Sequence, residues 1–275
     1  MLAAALLGAL LVPAQAASVK PSGYFKELFQ SSRSAFDGRP YTLSTTRARL
    51  TLDATAGLAQ AHVDYDHELL SGSQFRTVEY QRFGLGEAPQ WLTMEQNIST
   101  SATHIYRHRL YRGWLGVEGD WGVFRFGRQR IAWGTGKFWN PTDILNPYRP
   151  LSLERDERRG VDAFYGRASL GALSQFEAVL AHRDNWSEAS LLGRLKSNWK
   201  GYDGSFVFGK VASSTSSWML GGDFAGNLAD GSLHGEWSYT DPMVKTPFWK
   251  AGLGYDYTFS GEALWGLGDA TVVFE

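Results

Sequence analysis

The sequence predicts an all-β protein, an antiparallel up-and-down transmembrane β-barrel of about 11–12 strands counted from residue 41 onward. Three observations predict it: alternation with a period of two residues, turns rich in glycine and aspartate, and strands of about 9–11 residues. In Trp249–Phe259 every odd position is apolar or aromatic and every even position is polar or glycine. Because successive side chains of a strand point to opposite faces, this segment has one apolar and one polar face.

The same alternation recurs in segments that turns join into hairpins. These segments are Thr42–Ala54, Leu58–His67, Thr103–Val117, Trp121–Gln129, Gly160–Leu170, Ser174–His182, Leu191–Lys200, Trp218–Phe224 and Leu233–Tyr239. Two long loops are predicted where the alternation stops, at about residues 70–102 and 133–159. Residues Ala263–Glu275 begin a strand with no closing partner, so we expect a fragment whose barrel is incomplete at its C-terminal end.

Alternation alone fits either a soluble barrel or sandwich or a membrane barrel, because each has one apolar and one polar face. Strands of about ten residues suit a tilted membrane crossing. Trp and Tyr recur near predicted strand ends, as in interfacial belts, and charges lie deep within the polar faces. These features favour the membrane barrel.

The N-terminus indicates export. Leu2–Val12 is a short apolar run that Pro13 ends, and Ala14–Ala16 is a small-residue cleavage pattern. We therefore expect a signal peptide at residues 1–16 and a barrel domain at 17–275. The chain has no cysteine and a net charge of −1, which excludes disulfides and argues against nucleic-acid binding. An outer-membrane location is expected.

Residues 126–159 interrupt the repetitive pattern. Two Asn-Pro dipeptides, at Asn140 and Asn146, and Pro150 prevent a regular strand or a long helix. We expect a stiff loop at one mouth of the barrel. Its aromatic residues form either a binding platform for a sugar or hydrophobe or packing against the wall; they are Phe138, Trp139 and Tyr148.

Catalytic and metal chemistry find no support in the sequence. His104 and His108 lie about 13 Å apart on a strand, too far to share one ion. The segment Gly134–Lys137 lacks the glycine spacing and the following Ser or Thr of a phosphate-binding loop. There is no G-x-S-x-G sequence. We expect no enzymatic activity, no catalytic residues, no metal and no cofactor.

A resemblance to a known class rests on RFGRQRIAWGTGKFWNPTDILNP at Arg125–Pro147, followed by the strand GVDAFYGRASLG. This text resembles the porin-like outer-membrane barrels of Gram-negative bacteria, near the alginate-export and other substrate-channel porins. The motif covers roughly 40 residues, and the rest is similar in pattern only. The resemblance implies an outer-membrane β-barrel that acts as a passive channel.

Arginines on neighbouring predicted strands are the candidate functional constellation. If they line a lumen opposite an acidic loop, they create a transverse field that selects solutes by charge and size. Alternatively, they pair with neighbouring acids. The candidate constriction residues are Arg47, Arg49, Arg107, Arg109, Arg125, Asp143, Glu154, Asp156 and Glu157.

In a regular strand, Arg128 and Arg130 would lie on the same face as Phe124 and Phe126, which are expected to face lipid. Either Gly127 forms a bulge that exchanges the faces, or both arginines lie beyond the hydrocarbon near lipopolysaccharide phosphates. The expected function is passive diffusion of small polar or anionic solutes, with membrane lipid, lipopolysaccharide and the solutes as partners. The alternative is a non-conducting structural, assembly or export barrel plugged by its long loops.

Overall fold

The computed structural model of the chain describes residues 17–85, 90–146, 154, 157–182, 188–212, 217–260 and 270–275. It is all-β, with fourteen strands in one sheet. The strands are β1 Ser18–Arg33, β2 Pro40–Ala56, β3 Ala59–Ser71, β4 Glu95–Thr100, β5 His104–Gly119, β6 Gly122–Gln129, β7 Val161–Ser169, β8 Gln175–Ala181, β9 Ser190–Trp199, β10 Tyr202–Val211, β11 Ser217–Leu228, β12 Gly231–Pro242, β13 Phe248–Phe259 and β14 Ala270–Phe274.

The sheet is an up-and-down meander in which each strand pairs with its neighbours in sequence, and β4 adds to β5 beside this path. Two-residue turns follow β2, β5, β9 and β11 and alternate with longer connections. Short turns at one end and longer loops at the other are typical of outer-membrane barrels. The predicted fold class is therefore confirmed.

Twelve strands, β2, β3 and β5–β14, lie in the region where alternation predicts about 11–12. The two additional strands have irregular sequences. β1 contains Pro21 and Gly23, which break the pattern, and β4 lies within the segment predicted as the 70–102 loop. That segment also holds a 3-10 helix, Ser73–Arg76, and α1, Val78–Phe83. No helix among the described residues is long and apolar enough to cross a membrane.

The described residues divide into two compact units. The N-terminal unit comprises the described residues of Met1–Glu118 and Phe126–Gln129, and the C-terminal unit comprises those of Gly119–Arg125 and Arg130–Glu275. In the N-terminal unit, the buried residues of β3 alternate with exposed ones: Asp64, Asp66 and Glu68 are buried, whereas His67 and Leu69 are exposed. Charge is therefore buried on one face, which we call the polar face.

The C-terminal unit has the same inverted polarity. Glu177, Arg194, Asp223 and Glu236 are buried. Large apolar side chains of β9–β13 are exposed on the opposite, apolar face; they include Leu191, Leu195, Phe206, Phe208, Trp218, Leu220, Trp237, Trp249 and Leu253. A water-soluble sheet buries its apolar side, whereas a membrane barrel turns that side to lipid. The arrangement is that of a membrane β-barrel.

The alternation of exposed and buried side chains along β6 is interrupted at Gly127. Phe124 and Phe126 are exposed, but the consecutive residues Arg128 and Gln129 are both buried. Gly127 has φ +125°, and a Cβ there would lie 2.4 Å from the Gly113 carbonyl oxygen. Arg128 is fully buried and donates to the carbonyl oxygens of Leu110 and Leu92. The irregularity at Gly127 thus turns Arg128 away from the face that Phe126 occupies.

Replacing Gly127 with alanine is expected to destabilise the fold by about 1–3 kcal/mol, because the backbone angle and the nearby carbonyl both exclude a side chain. Urea unfolding in detergent, followed by tryptophan fluorescence, measures the change. Gly166→Ala is the matched control, since nothing lies within 4 Å of its added Cβ. Equal unfolding midpoints for the two variants would contradict the assignment.

Candidate functional site

Three rows of charged side chains cross the polar face of β2, β3 and β5. The strand register aligns Arg47 with Glu68 and Arg107, and Arg49 with Asp66 and Arg109. The third row aligns Thr51 with Asp64 and Arg112. We call these nine residues the charged ladder. Cross-strand neighbours of this kind lie close enough for direct contact.

Glu68 is the most heavily shared carboxylate of the ladder. Its Oε1 accepts from Arg47 Nη2 at 2.9 Å, and its Oε2 accepts from Arg107 Nε at 2.8 Å. Arg109 Nη2 lies 3.2 Å from Oε2. Three guanidinium groups therefore converge on one carboxylate that is 2% exposed.

Asp66 and Asp64 hold the other two rows. Arg49 binds Asp66 with two parallel bonds, Nε to Oδ1 at 2.6 Å and Nη2 to Oδ2 at 2.8 Å. This fork geometry is the strong form of an arginine–carboxylate pair. Asp64 accepts from the Thr51 hydroxyl at 2.6 Å and lies 3.7 Å from Arg112 Nη1.

A bulge in β5 completes the ladder. The register shifts between Asp64 and Tyr65, so that Tyr111 is the extra residue and Arg112 returns to face Asp64. Tyr111 is buried, and the Arg49 guanidinium carbon lies 4.1 Å from its ring centroid. A cation over an aromatic face is attracted by the ring quadrupole. The bulge thus adds an aromatic support beneath the arginines.

The segment that follows β3 packs beside the ladder, against the neighbouring row of the sheet in which Leu70 stands opposite Ile105. Phe75, Leu70 and Ile105 form a buried apolar cluster, with Leu43 and Tyr80 packed against it. Thr77 caps α1 by accepting from the Tyr80 N–H, and Glu79 accepts from the Ala35 N–H and the Ser34 hydroxyl. The first part of the predicted 70–102 loop is therefore structured and packed against the sheet.

The C-terminal unit carries a second feature, the segment 130–146, which packs on the polar face. Ile131, Trp133 and Leu145 join a buried cluster with β7–β11 residues; its strand members are Val161, Ala163, Val179, Ala181, Leu192, Val207, Val211 and Met219. Trp133 Nε1 donates to Glu177 Oε2 at 3.1 Å. The segment is thus fixed by apolar packing and by a buried acid.

Two glutamates hold the backbone of this segment. Glu236 of β12 accepts from the N–H groups of Thr135, Gly136 and Thr142, and from the Thr142 hydroxyl at 2.9 Å. Glu275 accepts from the N–H groups of residues 137, 138 and 139 at 2.8–3.0 Å. Five consecutive backbone donors are therefore bound by two carboxylates. We call Glu236 and Glu275 the anchor glutamates.

The predicted site residues fall into three groups. Arg47, Arg49, Arg107 and Arg109 come together in the charged ladder. Arg125, Asp143, Glu154 and Glu157 lie in the C-terminal unit, and Asp143 pairs with Arg158 there. Asp156 lies outside the described residues.

The predicted platform is partly described. Phe138 is 49% and Trp139 46% exposed, and Lys250 Nζ lies 6.0 Å from the Trp139 ring centroid. Tyr148 lies outside the described residues. His104 is bonded to serines and His108 to Tyr65. No group of three or more potential metal-binding side chains occurs in the described part of the chain.

Sequence reasoning missed the acids that organise both units. These are Asp64, Asp66, Glu68, Glu177, Asp223 and Glu236. The signal was present in Asp-Tyr-Asp-His-Glu at residues 64–68, where an acid recurs at every second position. Arginines recur with the same two-residue spacing on the neighbouring strands, in Arg-Ala-Arg at 47–49 and Arg-His-Arg at 107–109.

Burial raises the pKa of Asp143 to about 7, although the Arg158 guanidinium opposes the shift. Since this pKa lies above the unfolded value of 3.8, its stabilising contribution is complete below about pH 4 and is lost as the pH rises through 7. The wild type should therefore lose stability, of the order of a few kcal/mol, between pH 4 and pH 7. Asp143→Asn should not show this loss, because asparagine does not titrate. Thermal unfolding at several pH values checks this; parallel pH profiles for both proteins would contradict it.

Comparison with solved structures gives the class of fold. The chain matches the anion-selective porin from Comamonas acidovorans with a TM-score of 0.52 and 12% sequence identity, over 94% of this chain and 77% of that one. No family model matches the chain, and no characterised protein matches it by sequence. The chain therefore has a porin-like β-barrel fold.

Proposed function

We propose that the chain is an outer-membrane channel through which small polar or anionic solutes diffuse passively, without catalysis. The charged ladder is the observation that carries this proposal. Five arginines share the polar face with three β3 carboxylates, and Glu95 stands opposite Arg109 in the register. The arginines remain in excess, and an excess of fixed positive charge along a pore wall favours anions.

The proposed outer-membrane location follows from the exposed apolar face and the buried polar face of the sheet. Its apolar face matches lipid, and lipopolysaccharide is the expected partner at the loop side. A signal peptide at residues 1–16 delivers the chain across the inner membrane in this proposal. The solved structure with a similar fold is described as an anion-selective porin; at 12% identity this similarity concerns the fold, and the choice of solute rests on the arginines of the charged ladder.

Planar-bilayer recording tests the channel. Folded protein, verified by heat-modifiable migration on a denaturing gel, should give stepwise conductance in potassium chloride. A salt gradient should give a reversal potential of the sign expected for chloride preference. Folded protein that gives no conductance steps overturns the proposal.

A second candidate is a non-conducting barrel that serves in assembly or export and is plugged by its own loop. The packing of residues 130–146 on the polar face favours it, because the anchor glutamates fix that segment by six backbone hydrogen bonds. Under this hypothesis the wild-type protein is silent in bilayers, whereas release of the segment produces conductance.

A further inference from the structure

A fourth row of side chains lies on the polar face next to the charged ladder, and it places a histidine between two carboxylates. The strand register aligns Asp53 of β2 with His62 of β3 and Trp114 of β5. His62 Nδ1 lies 2.7 Å from Asp53 Oδ1, and His62 Nε2 lies 3.1 Å from Asp64 Oδ2. Both nitrogens of the ring therefore face a carboxylate oxygen.

This geometry is complete only when each ring nitrogen of His62 carries a proton. An ionised carboxylate accepts hydrogen bonds and cannot donate them, whereas a neutral imidazole has one N–H donor and one lone pair. A neutral ring would place its lone pair against an oxygen of either Asp53 or Asp64. The imidazolium has two N–H donors and matches both carboxylates at once.

The other charged groups around this row come from three strands. On β1, Lys20 stands opposite Asp53 in the register. On β5, Arg112 Nη1 lies 3.7 Å from Asp64 Oδ2, the oxygen that also faces His62 Nε2. Lysine, arginine and aspartate ordinarily titrate far from neutral pH, whereas histidine ordinarily titrates between about pH 5 and 8. His62 is therefore the group through which a proton changes the charge of the row.

The row is open to solution on its Asp53 side. The Asp53 side chain is 53% exposed and the His62 side chain 17%. On the other side, the Trp114 ring lies nearly parallel to the imidazole, with ring centroids 5.8 Å apart and 18° between the planes. Protons from solution therefore have access to the imidazole, while the stacked indole limits its movement.

A single charge at this place is large relative to the charge on which the proposed selectivity rests. The five arginines of the charged ladder exceed its three carboxylates and Glu95 by one. His62 lies on the strand that carries the three ladder carboxylates, and its side chain is on the same polar face. Gain or loss of one proton therefore changes the charge of this face by as much as that excess.

We propose that His62 is a proton-controlled charge on the pore wall, which strengthens the preference of the channel for anions at low pH and weakens it at high pH. This inference rests on the proposed channel function and adds its regulation. When the ring loses a proton, it loses one positive charge and its match to one carboxylate, while Asp53 and Asp64 stay negative. The added negative charge offsets the arginines, and anions are favoured less.

Reversal potentials in a potassium chloride gradient, recorded with folded protein between about pH 5 and 8, test this inference. The chloride-to-potassium permeability ratio of the wild type should fall about twofold as the pH rises, because fixed positive charge is lost from the wall. His62→Gln is uncharged and should keep the high-pH ratio throughout, whereas His62→Lys should keep the low-pH ratio. His67→Gln is the matched control, since His67 lies on the same strand and is exposed on the apolar face. It should retain the full pH dependence.

Two results overturn the inference and leave the channel function intact: a wild-type ratio that is the same at both pH values, and a His62→Gln channel that keeps the wild-type pH dependence. A folded protein without conductance overturns the proposed function, and this control of selectivity with it. Asp53→Asn changes an exposed partner and serves if the His62 variants do not fold. Asparagine can donate as well as accept, so it no longer requires a proton on the facing nitrogen. This variant should displace the pH dependence, and a profile identical to that of the wild type also overturns the inference.

Discussion

Glu68→Gln is expected to lower the free energy of unfolding by about 3–5 kcal/mol, because removing one partner of a buried ion pair leaves the other charge uncompensated. Here one carboxylate serves Arg47, Arg107 and Arg109 at once. Glutamine keeps the shape of the side chain, removes the charge and replaces one acceptor oxygen with an NH2 donor that cannot bind the facing arginines. Urea unfolding in detergent, followed by tryptophan fluorescence, gives the difference.

Glu27→Gln is the matched control. Glu27 lies on β1, next to β2, and its carboxylate is exposed and bonded to the Ser44 and Thr46 hydroxyls. Glu27→Gln should leave the unfolding midpoint close to that of the wild type, because exposed polar contacts contribute little to stability. A similar cost for both variants would show that the ladder is not a buried charge network.

The same substitution has a functional consequence. Loss of one negative charge from the ladder increases the positive excess on the polar face. In bilayers, Glu68→Gln should shift the reversal potential toward chloride, whereas Glu27→Gln should leave it unchanged. A shift toward potassium would contradict the assignment of the ladder to the pore wall.

Glu236→Ala is expected to release the 130–146 segment and increase its cleavage by trypsin after Lys137 at least tenfold. The carboxylate accepts from three backbone N–H groups and from the hydroxyls of Thr135 and Thr142, and its removal leaves these donors without this acceptor. Limited proteolysis of folded protein, with mass analysis of the fragments, measures the rate.

Asp241→Asn on the same strand is the control, since Asp241 is exposed. It should leave the cleavage rate unchanged. Bilayer recording of Glu236→Ala then separates the two functional candidates. An increase from an already open wild-type channel supports a constricting loop, whereas conductance that appears only in the variant supports a plug. Unchanged cleavage would show that Glu236 does not hold the segment.

The fold was predictable because alternation reports local geometry. A strand such as Trp249–Phe259 displays its two faces within eleven residues of sequence, and the turns between strands carry their own glycine and aspartate signals. β1 escaped prediction because Pro21 and Gly23 interrupt the pattern. Its formation depends on pairing with β2 along its whole length, which no local signal reveals.

The candidate site was only partly predictable. The arginines at 47, 49, 107 and 109 stand out as charges within strands, but their partners depend on the register between β2, β3 and β5. The bulge that returns Arg112 to the polar face is likewise invisible in the sequence of β5 alone. The bonds from Glu236 and Glu275 to residues 135–142 join positions about a hundred or more residues apart.

Asp143 illustrates a further limit. Proline and aromatic content predicted a stiff, packed loop at 133–159. The position of Asp143 in that loop gave no indication that Arg158 would pair with it, or that burial would raise its pKa. Such effects depend on how far the loop descends against the strands.

The apolar face has a consequence for how this sequence can vary. Lipid tails are fluid and fit any outline, so Leu191, Phe206 or Trp218 can each be exchanged for another large apolar residue without a matching change elsewhere. The charged ladder and the anchor glutamates, by contrast, need specific partners at specific distances. On the apolar face, therefore, only the hydrophobicity of a side chain has to be kept. On the polar face, the identities of both partners in each ion pair or hydrogen bond have to be kept. A barrel of this type therefore requires few particular residues, and two chains can share this architecture with as little as 12% sequence identity.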